Sequence, residues 1–205
     1  MATLVQREKA GSSEGAAPSN YTGMAHSVEL WFNAHPAPYT LQLFKTDDRM
    51  FGHAWVGLVS SDGTNGALGF FPSEMHDPKD WTKNVLTGVP GTVVNDANAG
   101  TQNHTLEQKV DGPQARKILG VIQSFQTRQY VLTSNNCATF ATTVWTSVTG
   151  TPLADPMAGD AVWWLPFAVG MAIEARRSLD RKIRMSLQEA ESKLDEGRPA
   201  AARYY

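Results

Sequence analysis

Cys137 is the only cysteine among the 205 residues, and its surroundings suit a nucleophile. The stretch is Thr133-Ser134-Asn135-Asn136-Cys137-Ala138-Thr139-Phe140-Ala141. Ser134, Asn135 and Asn136 are all good helix-capping residues. Downstream, Phe140, Val144, Trp145 and Val148 recur at helical spacing and predict one apolar face. Cys137 therefore falls in the first turn of a helix. A helix N-terminus carries a partial positive charge and free backbone N–H groups. That end favours a thiolate over a thiol, and the thiolate is the reactive form. The same N–H groups can hold an oxyanion. The competing reading of a lone cysteine is a small buried hydrophobe.

A cysteine nucleophile needs a base within hydrogen-bond reach and a group to orient that base. The five histidines are His26, His35, His53, His76 and His104. His53 has the best setting: it follows Gly52 and opens the β-forming run Ala54-Trp55-Val56-Gly57-Leu58-Val59. The alternative for His53 is a half-buried strand histidine without a chemical role. No pair of these histidines has metal-ligand spacing and no second cysteine exists, so neither a metal nor any other cofactor is expected.

The elements that must position this pair read as follows. Residues 1–25 are rich in Gly, Ser and Ala and predict a flexible leader without the apolar core of a signal peptide. Residues 27–32 and 39–44 alternate as strands. A hairpin follows, with His53 at its start, a turn around residues 60–66 and Pro72 ending the second strand. Residues 73–91 read as loop. Val93-Val94 and residues 105–110 read as short strands, and Tyr130-Val131-Leu132 as the end of another. Asp111-Gly112-Pro113 opens a helix buried through Ile118, Ile122 and Phe125. Gly150-Thr151-Pro152 ends the Cys137 helix. The chain thus divides into a leader (1–25), one α+β domain (26–152) and a helical extension (153–205).

That extension has two parts. Residues 161–173 form an apolar run too short to span a bilayer. A charged helix follows, with Leu179, Ile183, Leu187, Ala190 and Leu194 on one stripe. Such a stripe usually docks on its parent domain; a membrane surface, a carrier or immunity protein, or self-association are the other uses of residues 161–196. The formal net charge of −2 gives no support to a nucleic-acid partner. A single cysteine excludes an internal disulfide.

Gly52-His53-Ala54-Trp55-Val56-Gly57-Leu58, followed much later by Asn136-Cys137-Ala138-Thr139-Phe140, resembles the permuted papain-like hydrolases. These include relatives of the NlpC-type cell-wall peptidases and the lecithin:retinol acyltransferase-like enzymes. Gly69-Phe70-Phe71-Pro72 is similar to the strand after the histidine in some bacterial members. The resemblance covers roughly residues 26–150. It implies an antiparallel sheet packed against helices, with Cys137 as nucleophile and His53 as general base and acid. In relatives a tyrosine near the position of Tyr130 lines the site; a plain strand aromatic is the other reading of Tyr130. The family's third, polar member has no obvious counterpart here. A hairpin turning near Gly63 puts Ser73 across from His53, with Glu74 one register step away and Asn65 in the loop.

The reaction implied is acyl transfer by an amidase or endopeptidase on a peptide or acyl substrate, most naturally peptidoglycan. A chain with this leader would be made in the cytoplasm and handed to the periplasm of a target cell as an antibacterial effector. The competing functions are a lipid acyltransferase or phospholipase on the same scaffold, and a non-catalytic binding module with Cys137 packed and inert.

Overall fold

A computed structural model describes residues 23–46, 52–73, 86–97, 101–153 and 166–196. Residues 1–22 of the leader, residue 74 and residues 161–165 of the apolar run lie outside these residues, while Met24 and Ala25 belong to the first helix. Among these residues the architecture is α+β: a six-stranded antiparallel sheet and four helices. In chain order they are α1 (Met24–Ala34), β1 (Tyr39–Thr46), β2 (His53–Val59), β3 (Asn65–Pro72), β4 (Val89–Asn95) and β5 (His104–Val110). Then come α2 (Gly112–Phe125), β6 (Gln129–Tyr130), α3 (Cys137–Thr149) and α4 (Pro166–Glu196). The strand order is β5-β1-β2-β3-β4-β6.

Alternation sorts β2 onto two faces. Ala54, Val56 and Leu58 enter the main core with Leu41, Leu43, Leu68 and the apolar sides of α1, α2 and α3. On the other face Trp55 packs with its cross-strand neighbour Phe44 and with Ala67. The aromatic centre of the core is Phe70 with Phe125 and Phe140, at centroid distances of 5.1 and 6.3 Å.

Both predicted helices next to the site have the expected ends. Asp111 and Gln114 form a reciprocal capping box at the start of α2. α3 begins after Asn136 and ends at Gly150, whose left-handed φ of 70° suits a residue without a Cβ.

Two expectations fail. Residues 27–32 are not a strand but the body of α1. A strand would pair Leu30 with Val28 and Phe32 on one face. Instead Ala25, Val28, Trp31 and Phe32 are buried at helical spacing and Leu30 is 47% exposed. The charged helix does not dock along its stripe either. α4 enters the core only through Val169, Ala172 and Ile173. Gly170 lies against Lys45 and His104, a contact that leaves little room for a Cβ. Beyond that turn, Leu179, Ile183 and Leu187 are exposed.

The helical assignment of α1 has a direct check by chemical denaturation. Trp31→Ala should cost about 3–5 kcal/mol, and Leu30→Ala no more than about 0.5 kcal/mol. Comparable losses at both positions would restore the strand reading.

Candidate active site

The site is assembled from the start of β2, the end of β4 and the first turn of α3. The turn before α3 is fixed by its own backbone: Val131 and Asn135 exchange two N–H···O bonds of 2.9 Å each. Asn136 is fully buried and uses both ends of its amide. Its Oδ1 accepts from the N–H groups of Ala138 (2.8 Å) and Thr139 (3.2 Å), and its Nδ2 donates to the Leu132 carbonyl at 2.7 Å. The cap consumes two of the first-turn donors. The N–H of Cys137 itself has no partner among the described residues, so it remains for an incoming oxygen.

His53 pairs with Thr46 at the start of β2. Its ring stacks on Trp55 (centroids 5.5 Å, interplanar angle 11°) and packs against Phe71 at 4.7 Å. One ring nitrogen, Nε2, lies 2.5 Å from Asp96 Oδ2. The ring is also close enough to the Cys137 sulfur for each group to shift the other's ionisation. The sulfur receives the hydroxyl of Tyr130, 4.0 Å away, and the nearby backbone N–H of Ala54 favours its charged form.

The three central residues are buried: Cys137 and His53 are 3% exposed and Asp96 is 8% exposed. Burial by itself pushes the His53 ring toward the neutral form, but the Asp96 hydrogen bond and the Cys137 thiolate outweigh it. The result is a pKa raised to about 9. For Cys137, burial opposes ionisation. Hydrogen bonding and charge from His53, then the Ala54 N–H and the Tyr130 hydroxyl, reverse that and lower its pKa. Both shifts favour the same state, an imidazolium–thiolate pair.

Asp96, not Ser73, stands on the histidine. The hairpin turns one residue earlier than the sequence reading placed it: Val59 pairs with Asn65 and Val56 with Leu68. Carried onward, that register puts Phe71 across from His53, as the ring contact shows. Ser73 is exposed, two residues further on, with its N–H bonded to the Pro90 carbonyl at 2.8 Å. Asn65 is exposed at the far end of β3. Asp96 comes in from β4, anchored by its N–H to the Ala67 carbonyl at 3.0 Å.

Its carboxylate crosses over Gly69, where a Cβ would collide with Oδ2 and with the Phe71 ring. The one sequence signal for this arrangement was a glycine inside a strand, which often marks a close approach. Tyr130 touches the sulfur rather than serving only as a strand aromatic. Among the described residues no cluster of His, Cys, Asp and Glu could hold a metal ion.

Comparison with protein-family models, with curated proteins and with solved structures finds no match for this chain.

The Asp96–His53–Cys137 relay can be read through thiol labelling against pH. Asp96→Asn removes the charge that holds the imidazolium, so the His53 pKa falls from about 9 toward the ordinary 6.5. The apparent pKa of the thiol should then rise, and iodoacetamide labelling at pH 7 should slow about tenfold or more. Gly69→Ala should reproduce this shift without touching any ionisable group, because the methyl occupies the place of the carboxylate. An unchanged profile in both variants would remove Asp96 from the relay. At the cap, Asn136→Ala should cost about 2–3 kcal/mol in urea denaturation, since a buried carbonyl and two buried N–H groups lose their partner.

Proposed function

We propose that this protein is a cysteine-dependent amidase or endopeptidase of the permuted papain-like type, with Cys137 as nucleophile, His53 as acid and base, and Asp96 as the group that orients the ring. One observation carries the reading: two stretches 84 residues apart in sequence place one imidazole between the only thiol and a buried carboxylate. A cysteine present only for packing needs neither partner. Burying an imidazole and a carboxylate together costs desolvation that apolar residues of the same size would not incur. Strongly perturbed ionisation of this kind concentrates at functional sites.

The chemistry follows from the geometry. The Cys137 thiolate attacks an amide carbonyl, forming a C–S bond and placing negative charge on the oxygen. The free Cys137 N–H, at the positive end of α3, faces that charge. As the C–N bond breaks, the proton on His53 passes to the departing amine, leaving a thioester and a neutral imidazole. Water then attacks the thioester while His53 takes its proton. The acid leaves and the imidazolium–thiolate pair is restored. Asp96 keeps one ring edge fixed throughout, so that the imidazole holds its place beside the sulfur at each step.

The proposed substrate is the peptide of bacterial peptidoglycan, and the setting is delivery to the periplasm of a target cell. This rests on the motif resemblance of residues 26–150. Incubation with purified peptidoglycan and, separately, with phospholipid vesicles distinguishes amide from lipid acyl chemistry. Mass spectrometry should show new peptide termini in the first and no released fatty acid in the second. Cys137→Ala should abolish those products while changing stability by no more than about 1–2 kcal/mol. Turnover that survives the substitution would refute the assignment. So would a wild-type thiol that iodoacetamide fails to label below pH 8, because a sealed thiol cannot reach a substrate.

A further inference from the structure

α4 is 31 residues long, about 46 Å of helix, and enters the core only through Val169, Ala172 and Ile173. Further along, Glu174 pairs with His104, and Arg177, Asp180 and Arg184 line a cavity with Gln42, Phe44 and Glu107, while the apolar stripe stays in the open. Leu179 is 47%, Ile183 49% and Leu187 59% exposed. At about 100° per residue, Leu179, Ile183, Leu187, Ala190 and Leu194 fall within an arc of roughly 80°. So narrow a seam fits one partner helix rather than a broad surface.

The charges beside the seam say which helix. Residues 174–185 carry five basic and two acidic side chains, and residues 186–196 carry one basic and four acidic. The helix is thus basic in its first half and acidic in its second. A parallel copy would set like charge against like. An antiparallel copy sets each half against its opposite. We propose that α4 pairs antiparallel with α4 of a second copy of this chain, about a two-fold axis that passes between Ser186 and Leu187.

That axis explains the individual residues. It places position 179 opposite position 194 of the second copy and Ile183 opposite Ala190, so a large residue meets a small one at the seam. On one flank Lys182 comes within two residues, about 3 Å along the axis, of Glu189 of the second copy, and on the other flank Arg184 comes equally near Glu191. The symmetry of an isologous contact makes each of these pairs twice. Arg184 and Glu191 have no ion-pair partner within their own chain among the described residues. Glu189 has only the exposed contact to Lys193 at 2.7 Å, which is worth little and easily exchanged.

The test is the mass of the full chain in solution. Light scattering behind size exclusion should give twice 22.4 kDa at about 100 µM protein. Leu187→Asp should return the protein to 22.4 kDa with an unchanged circular dichroism spectrum, since residue 187 touches no core. Lys182→Glu/Arg184→Glu alone should also give a monomer, and adding Glu189→Lys/Glu191→Lys to the same chain should restore the dimer.

Direction is read by oxidation in a Cys137→Ser background. A mixture of Leu179→Cys and Leu194→Cys chains should form the mixed disulfide. A monomer at 100 µM, a dimer indifferent to Leu187→Asp, or 179–179 disulfides in place of the mixed species would each overturn the proposal. A monomer that co-sediments with anionic vesicles would assign the seam to a membrane instead and would overturn it equally.

Discussion

Everything at the centre of this protein depends on a buried imidazole held beside a carboxylate and a thiol. Asp96 on one edge and Cys137 on the other both favour the charged ring, and burial strengthens each attraction while opposing each charge. Neither partner is sufficient. Without the carboxylate, desolvation would neutralise His53. Without the ring, the sulfur would remain a thiol in an apolar pocket. The pair is stable because the Tyr130 hydroxyl meets the sulfur and the Ala54 N–H favours its charge. The negative charge is thus divided among several donors that are already in place and need not reorganise.

The fold serves this arrangement by bringing three ends together. β2 begins at His53, β4 finishes one residue before Asp96, and α3 begins at Cys137. Ends of elements are where backbone groups remain unpaired and where side chains can leave the alternation of a sheet. Aromatic rings at 55 and 71 wall the histidine, and the missing side chain at 69 makes room for the carboxylate. The core behind them, built on Phe70, Phe125 and Phe140, fixes β3, α2 and α3 relative to one another. Small shifts there would lengthen the contacts at the sulfur. The long last helix stands apart from this system, joined through Val169, Ala172 and Ile173 and otherwise open along its apolar seam.

Local chemistry made several features legible in the sequence. Asn136 before a run of apolar residues at helical spacing announced α3 and put Cys137 in its first turn. Asp111-Gly112-Pro113 announced α2, and Gly150 announced where α3 stops. The alternation of residues 39–44 and the β-rich run after Gly52 gave β1 and β2, and with them the position of His53. Each of these depends on neighbours within a few residues, where capping, propensity and periodicity act. The choice of Cys137 and His53 needed only that such local units be folded against each other.

The remainder was settled by contacts between residues far apart. Val28, Leu30 and Phe32 fit a strand and a helix equally well over so short a run; the covering of Val28 and Trp31 by the core decided for the helix. The partner of His53 depended on a turn centred one residue earlier than the glycine at 63 suggested. That moved the opposite position from Ser73 to Phe71 and left the third place to an acid on a strand with no sequence link to the hairpin. The exposure of Leu179, Ile183 and Leu187 was likewise invisible in their spacing, because periodicity reveals that a helix has an apolar side and not whether its own chain covers it. Sequence by itself therefore determined the places of Cys137 and His53 in their elements and the helix caps, whose physics is local. Tertiary structure alone decided the orienting carboxylate, the nature of α1 and the uncovered seam, because register and coverage are properties of segments meeting across the fold.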